Sequence, residues 1–286
     1  MNDVQAWVNR ILPFSCVDGP GNRFVIFLQG CNYNCWNCHN PQTIGNCDYC
    51  DLCRKECPVE ALSLKTDEEG WQCNLDLCLN CDLCLQVCPQ DSTPHSFNLT
   101  VEEAIKQIRK AEPFLEGITL SGGEATLQAE FVRELFTRIK QDPDLSRLTR
   151  FLDSNGSADQ ATWLSLLPVM DGAMIDLKAF DPARHLELTG QDNQAVLESL
   201  VLLNKQKKLH EIRLLIIPEI TDSPTMLQET ALWIHRLNPE LPVKLMGFRR
   251  HGVREEYSFL KACPQETLGG FHQLFQDVGL KNVIML

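Results

Sequence analysis

The sequence predicts an α/β protein: six strand–helix units forming a parallel sheet, curled into an open partial barrel, with one small cysteine-rich segment inserted near its start. Three observations predict this. Beyond residue 97, short apolar runs of strand length alternate with stretches of helical periodicity. Repeated strand–helix units imply parallel pairing through right-handed crossovers. The chain of 286 residues, 44% of them apolar, is long enough for one large domain and a small insert.

Taken in order, RFVIFLQ (23–29) is the first expected strand, and a loop holding Cys31, Cys35 and Cys38 follows it. The cysteine-rich insert occupies 44–96, which leaves 1–43 and 97–286 for the barrel. A helix is expected over 100–111, where Thr100-x-x-Glu103 fits a capping box. The next strand is 117–122. It is followed by an amphipathic helix, 127–141, whose Phe131, Leu135 and Ile139 share one face and read as core. Further strands are expected at 148–153, 173–178, 212–217 and 243–248, and a last helix at 265–278. In this arrangement Gly122, Gly123 and Glu124 end the second strand and Asp153 the third. Asp176 and Lys178 end the fourth, Arg213 lies in the fifth, and Arg249 follows the sixth. Barrel enzymes place their chemistry at the C-terminal ends of the strands, so these groups converge on one mouth.

Composition excludes several classes. The net charge is −12 and no block of Lys and Arg is long enough to grip a phosphate backbone, so nucleic acid is not expected as a partner. No apolar run reaches the length of a membrane span. The N-terminal MNDVQAWVNR lacks the apolar core of a secretory signal, so a cytoplasmic location is expected. Disulfides are rare there, and fourteen cysteines then point to metal.

Eleven cysteines fall into three sets. Cys47, Cys50, Cys53 and Cys57 repeat 31 residues later as Cys78, Cys81, Cys84 and Cys88, each run ending in Cys-Pro. This C-x2-C-x2-C-x3-C-P pattern is that of two-cluster bacterial ferredoxins, in which the fourth cysteine of each run serves the other cluster. It predicts one [4Fe–4S] on Cys47, Cys50, Cys53 and Cys88, and a second on Cys57, Cys78, Cys81 and Cys84. Two zinc sites are the alternative, although zinc is usually held by two C-x2-C pairs per ion. Cys16, Cys73 and Cys263 are left as small buried hydrophobes with no assigned role. The first set, Cys31-x3-Cys35-x2-Cys38, offers only three thiols. On a four-iron cube that leaves one iron open, the mark of a site that binds something reactive. A zinc ion completed by His39 is the alternative, but adjacent Cys38 and His39 side chains reach one ion with difficulty.

C-x3-C-x2-C directly after a strand resembles the signature of the radical S-adenosylmethionine (SAM) enzymes. SCVDGPGNR (15–23), FVIFLQGC and CHNP resemble the start of a glycyl-radical-enzyme activating enzyme, a family whose familiar member is the pyruvate formate-lyase activating enzyme. The resemblance continues through LSGGEATLQAEFVRELF (120–136), LDSNG (152–156), MIDLKAF (174–180) and RLLIIPEITD (213–222). Larger members carry a ferredoxin-like insert at this position, and the subtype looks most like the YjjW type. The resemblance implies a partial (β/α)6 radical SAM barrel and an anaerobic oxidoreductase. It implies SAM chelating the open iron by its amine and carboxylate. An electron then splits the S–C5′ bond, and the 5′-deoxyadenosyl radical takes a hydrogen from a glycine of a partner glycyl radical enzyme. An electron donor such as flavodoxin or ferredoxin is implied as well.

The resemblance also assigns the mouth. Gly122 and Gly123 would let the chain approach the methionine moiety, and Glu124 would anchor its ammonium. Asp153 and Asp176, with the Ser154 and Met174 positions nearby, would hold a monovalent cation near the SAM carboxylate, which Lys178 and Arg213 would face, and Leu177 would belong to the same SAM-binding set. Asn37, Cys38, His39 and Arg249 would lie along the adenosine. Relatives carry an aromatic residue at the Asn37 position and a histidine at the Arg249 position, with Trp36 and His251 close by here. Asp18, in the DGPG turn, would receive the partner's glycyl loop. The plainer readings are a glycine turn, helix-capping aspartates and surface ion pairs. The two further clusters read either as an electron relay or as a structural and docking module. Two other functions stay open: a radical SAM enzyme acting on a small molecule, and a non-catalytic ferredoxin-type electron carrier.

Overall fold

The computed structural model describes residues 3–64 and 71–286, so 65–70 of the expected insert and the first two residues of the N-terminal stretch lie outside the described residues. The chain begins with a strand the apolar runs did not indicate. β1 (Gln5–Ser15) runs antiparallel to β2 (Arg23–Leu28). Its sequence mixes apolar residues with Asn9, Arg10 and Pro13, and only Ala6, Val8 and Ser15 are buried, because one face is covered and the other is not.

The insert then contributes two short helices, α1 (Leu52–Lys55) and α2 (Leu83–Gln86). Between them lies an antiparallel hairpin of β3 (Leu62–Leu64) and β4 (Trp71–Cys73). Its internal repeat is visible in the backbone. Tyr49, Asp51 and Glu60 adopt left-handed conformations, and so do Asn80, Asp82 and Asp91, each 31 residues further on. Both ends of the insert meet where Gly45 N–H donates to the Asp91 carbonyl at 3.0 Å. A Cβ on Gly45 would stand 1.8 Å from the Gln90 carbonyl oxygen, so only glycine lets the two strands of chain pass.

The remaining elements alternate as expected, with boundaries shifted by up to three residues. β5 (Phe97–Thr100) returns to pair with β1. α3 (Val101–Ala111) carries both halves of the Thr100–Glu103 capping box. Then follow β6 (Gly117–Gly122), α4 (Ala129–Gln141), β7 (Thr149–Ser154), α5 (Gln160–Leu166), β8 (Gly172–Asp176), α6 (Pro182–Thr189) and α7 (Gln194–Lys205). β9 (Leu209–Ile216), α8 (Pro224–Leu237), β10 (Val243–Gly247), α9 (Gln265–Asp277) and β11 (Val283–Met285) complete the chain. Among the described residues the main sheet runs β11-β10-β9-β8-β7-β6-β2-β1-β5, parallel from β11 to β2 and antiparallel at β1 and β5. It thus adds β11 to the six expected parallel strands.

Phe131, Val132, Leu135, Phe136 and Ile139 of α4 are buried, so the expected stripe is core. Trp163 is fully buried and gives its indole N–H to Ser199 Oγ at 2.7 Å. At the N-terminal end of the strands Arg23 is also fully buried. It bonds to Thr119, Thr149 and main-chain carbonyls and lies over the Phe151 ring at 4.7 Å. Burial lowers its pKa to about 10, so it stays charged at neutral pH. No helix among the described residues is long and apolar enough to cross a membrane.

The sheet curls. Phe27 on β2 and Met246 on β10 line the same cavity of about 470 Å3, although five strand steps separate them. In a flat sheet those strands would stand roughly 24 Å apart at about 4.8 Å per step, which a cavity of that size does not span.

Gly45→Ala is expected to open the junction of the insert without unfolding the barrel. Limited trypsin digestion should then cut at Arg54 or Lys55 several-fold faster than in the wild type, at an unchanged unfolding midpoint. Equal protection would show that the glycine is not needed there.

Candidate functional site

The cavity sits at the C-terminal ends of the parallel strands. Cys31, Cys35 and Cys38 form one wall, on the loop after β2. Main-chain bonds pin that loop. Cys31 N–H donates to Ile44 at 2.9 Å, Asn34 to Thr189 at 3.0 Å and Trp36 to Leu188 at 3.0 Å. Arg254 donates to the Cys35 carbonyl at 3.1 Å and pairs with Asp91 at 2.8 Å, linking the loop to the root of the insert. Burial pushes the Cys31 thiol up to about 12 and Cys35 to about 11, and raises Cys38 as well. Three desolvated thiols with no cation bonded to their sulfurs suit a metal centre, since a bound metal deprotonates its thiol ligands. Tyr33 N–H already points at Cys31 Sγ, 3.4 Å away.

Three buried polar atoms on residues lining the cavity have no hydrogen-bond partner among the described residues: Tyr33 Oη, Asn37 Oδ1 and Asp176 Oδ1. Buried polar groups are nearly always paired, so three unpaired atoms on residues of one wall mark it as a place still short of polar partners. These atoms and the three thiols together match a thiolate-held cluster with a polar cosubstrate.

Gly122 and Gly123 line the cavity, but their first constraint is the protein itself. A Cβ on Gly122 (φ +122°) would stand 2.2 Å from the Leu28 main chain, and one on Gly123 would stand 2.1 Å from the Gly30 carbonyl oxygen. Glu124 departs from its expected role as an ammonium anchor. Its side chain is fully buried behind the wall and does not line the cavity. Oε1 accepts from Thr126 N–H (3.0 Å), Thr126 Oγ1 (2.6 Å) and Ser154 Oγ (2.8 Å), and Oε2 from Asn155 N–H (2.7 Å). Four donors nearly exhaust a carboxylate's capacity. Burial raises its pKa while these donors pull it back.

Asp153, Ser154, Asp176, Leu177, Lys178 and Arg213 all line the cavity. The aspartates cap no helix, and the cations are not surface groups. Asp153 accepts from Arg213 at 2.8 Å and Ser121 at 2.8 Å. Lys178 bonds Asp176 at 2.8 Å. Burial opposes the charge of Lys178, but the Asp176 carboxylate beside it outweighs that and holds the ammonium charged. Burial likewise works against Asp176, yet Lys178 and Arg213 leave it below the usual carboxylate range. Arg213 is held in turn by Glu211 at 2.6 Å, itself bonded to Lys244 at 2.8 Å.

Asn37, His39 and Arg249 line the remaining wall, and Asp18 reaches the cavity from the DGPG turn. His39 is kept neutral by burial. Trp36 turns away and stacks on Tyr257 at 5.7 Å, and His251 is exposed, so neither substitutes for the departed aromatic or histidine. Sequence reasoning missed Tyr33, Asn155 and Glu211. Tyr33 and Asn155 lie inside motifs already noted, but which way a loop side chain points is set by the fold.

In the insert, Cys47, Cys50, Cys53 and Cys88 line one small cavity together with Cys84, Trp71 and Ser92. Cys57, Cys78 and Cys84 lie together next to it, while Cys81 is exposed. Cys73 and His95, which had no expected role, are among them. Their ligand atoms and Cys78 Sγ all fall within 4.8 Å of one another.

The profile of the radical SAM superfamily matches residues 25–229. The activating enzyme of (2S)-3-sulfopropanediol dehydratase from Klebsiella oxytoca is 30% identical over 88% of this chain and 84% of its own. The pyruvate formate-lyase-activating enzyme of Listeria monocytogenes is 26% identical over 98% of this chain and all of its own. Among solved structures, QueE from Escherichia coli superposes with a TM-score of 0.53 at 10% identity over 99% of this chain and 94% of that one, a likeness of fold. The chain belongs to the radical SAM superfamily and, within it, to the activating enzymes of glycyl radical enzymes.

Glu124→Gln places an amide N–H2 against a fixed main-chain donor, whichever way the amide is turned. It is expected to cost about 1–3 kcal/mol of unfolding free energy, read as a lower denaturant midpoint. A variant as stable as wild type would mean that the carboxylate is not the buried acceptor described.

Proposed function

We propose that this chain, as a member of that family, holds a [4Fe–4S] cluster on Cys31, Cys35 and Cys38 with SAM beside it and activates a glycyl radical enzyme. The observation that carries this reading is the meeting, in one cavity, of three thiols on a pinned loop with the charged side chains of Asp176, Lys178 and Arg213. When bound, the cluster and SAM supply the chemistry: one-electron cleavage of the S–C5′ bond gives a 5′-deoxyadenosyl radical, which takes a hydrogen atom from a glycine of the partner.

The chain's own residues bind and orient. Asp176 lines the cavity and, despite its burial, is held below the usual carboxylate range by Lys178 and Arg213, so its carboxylate would meet the SAM ammonium or a small monovalent cation shared with Lys178. Lys178 and Arg213 keep a positive field on the same side of the cavity, where the carboxylate of SAM belongs. Gly122 and Gly123 contribute main chain, and Asn37, His39 and Arg249 wall the adenosine end. Ser154 spends its hydroxyl on Glu124 and accepts from Gly156 N–H at 3.0 Å, so it props the wall rather than offering a free group to the cavity.

Residues 44–96 form the ferredoxin-like insert in this proposal, with one [4Fe–4S] on Cys47, Cys50, Cys53 and Cys88 and a second on Cys57, Cys78, Cys81 and Cys84, and 1–43 and 97–286 form the barrel. The relay reading is favoured over a purely structural one by the insert's root. Cys88 lies three residues from Asp91, Asp91 meets Gly45, and the next residue back, Ile44, accepts from Cys31 N–H. Electrons from a flavodoxin or ferredoxin would enter at the exposed Cys81 end and leave at the Cys47 end. Within the family the assignment is to the insert-bearing YjjW-type subtype.

Reconstituted without oxygen, reduced and given SAM, the chain is expected to form 5′-deoxyadenosine, and Cys35→Ala to form none while losing up to about four irons per chain. A glycine-centred EPR doublet should appear only when the glycyl radical enzyme is added. Deoxyadenosine formed with a turned-over small molecule and no doublet would favour the small-molecule reading, and no deoxyadenosine at all the electron carrier.

A further inference from the structure

We propose that Cys73 is a reserve ligand for the second auxiliary site, able to take over the iron corner assigned to Cys78. The proposal rests on the two-cluster reading of the insert and goes beyond it, because the ferredoxin pattern gives position 73 no part in ligation.

The geometry points to one corner in particular. Cys73 Sγ, Cys78 Sγ and a ring nitrogen of His95 lie within 4.8 Å of one another, and His95 Nε2 is 3.8 Å from Cys84 Sγ. Donors on a single metal with bonds of 2.0–2.3 Å stand roughly 3.3–3.8 Å apart. Donors on different irons of a cube stand wider, since the iron–iron edge separates them. Cys73 Sγ, no more than 4.8 Å from Cys78 Sγ, therefore lies nearer the spacing of two donors on one iron than that of donors on separate corners, and a small side-chain turn brings it onto the iron of Cys78. It is also held in place, paired with Leu62 in the β3–β4 hairpin and packed with Cys57, Cys84 and Trp71. A cysteine that is only a small apolar filler has no need of a second thiol and an imidazole at its sulfur.

The exchange balances without an electron. The Fe–S bond to Cys78 breaks as one to Cys73 forms; Cys73 loses one proton and Cys78 gains one. His95, in reach of both sulfurs, can carry it. The internal repeat supplies a matched control: 31 residues before Cys73 stands Gln42, ahead of the insert, so Cys47, the counterpart of Cys78, has no cysteine at the same offset.

The test uses the full chain reconstituted without oxygen, with iron, sulfide and zinc counted and EPR recorded. Wild type and C73A are expected to hold about twelve irons. C78A should match them, whereas C47A and C73A/C78A each lose between about one and four irons and show a three-iron EPR signal or none from that site. C73A, intact as prepared, should also give up iron from one site to a chelator several-fold faster than wild type. C78A as iron-poor as C47A, or C73A and wild type equally resistant to the chelator, overturns the reserve ligand alone. Wild type short of about twelve irons, or carrying zinc, overturns the two-cluster reading and this proposal with it.

Discussion

The carboxylate of Glu124 is the point on which the mouth of the barrel depends. It lies at the end of β6, takes hydrogen bonds from Ser154 and Asn155 at the end of β7, and its own N–H bonds to Gly30 after β2. Asn155 then reaches Asn32 at 3.0 Å and lies 4.0 Å from Cys31 Sγ. One buried anion thus ties three strand ends and the cysteine loop into a single unit. Burying it unpaired would be costly, but four donors carry most of that cost. The result is a stiff floor under the place where three thiols must stand together.

The opposite side of the cavity is organised by charge. Asp153 and Asp176 are paired with Arg213 and Lys178, and Arg213 is backed by Glu211 and Lys244. Such pairs gain little net stability when desolvated. What they achieve is a fixed alternation of sign at the strand ends with one oxygen, Asp176 Oδ1, left over. A zwitterionic amino-acid tail, with its ammonium and carboxylate one carbon apart, matches that alternation.

Much of this was legible in the sequence, and the reasons differ by element. The parallel strands were readable because strands buried on both faces are dominated by apolar and small residues, as in FVIFL (24–28) and GITLSG (117–122), where Thr119 and Ser121 are buried too. β1 was not, because a strand buried on one face mixes Arg10 and Asn9 with Trp7 and Val8. β11, three residues long, is too short for any pattern. The residues that line the cavity were reached largely from strand-end positions, since every parallel strand delivers its C-terminal residue to the same side. Glu124 was misjudged because the sequence places it at the mouth without saying whether its side chain points into the cavity or behind it. Tyr33 and Glu211 were missed for the converse reason: neither residue type announces its surroundings, and only the fold brings Tyr33 to the cavity and sets Glu211 behind Arg213.

The narrow neck at Gly45 and Asp91 carries a mechanical implication. Ile44 stands at once beside the neck and as the acceptor for the Cys31 amide, and Arg254 grips both Asp91 and the Cys35 carbonyl. Whatever shifts Gly45 shifts the neighbouring Ile44, and with it the acceptor of the Cys31 amide, so the neck and the sulfur-bearing loop form one hydrogen-bonded unit.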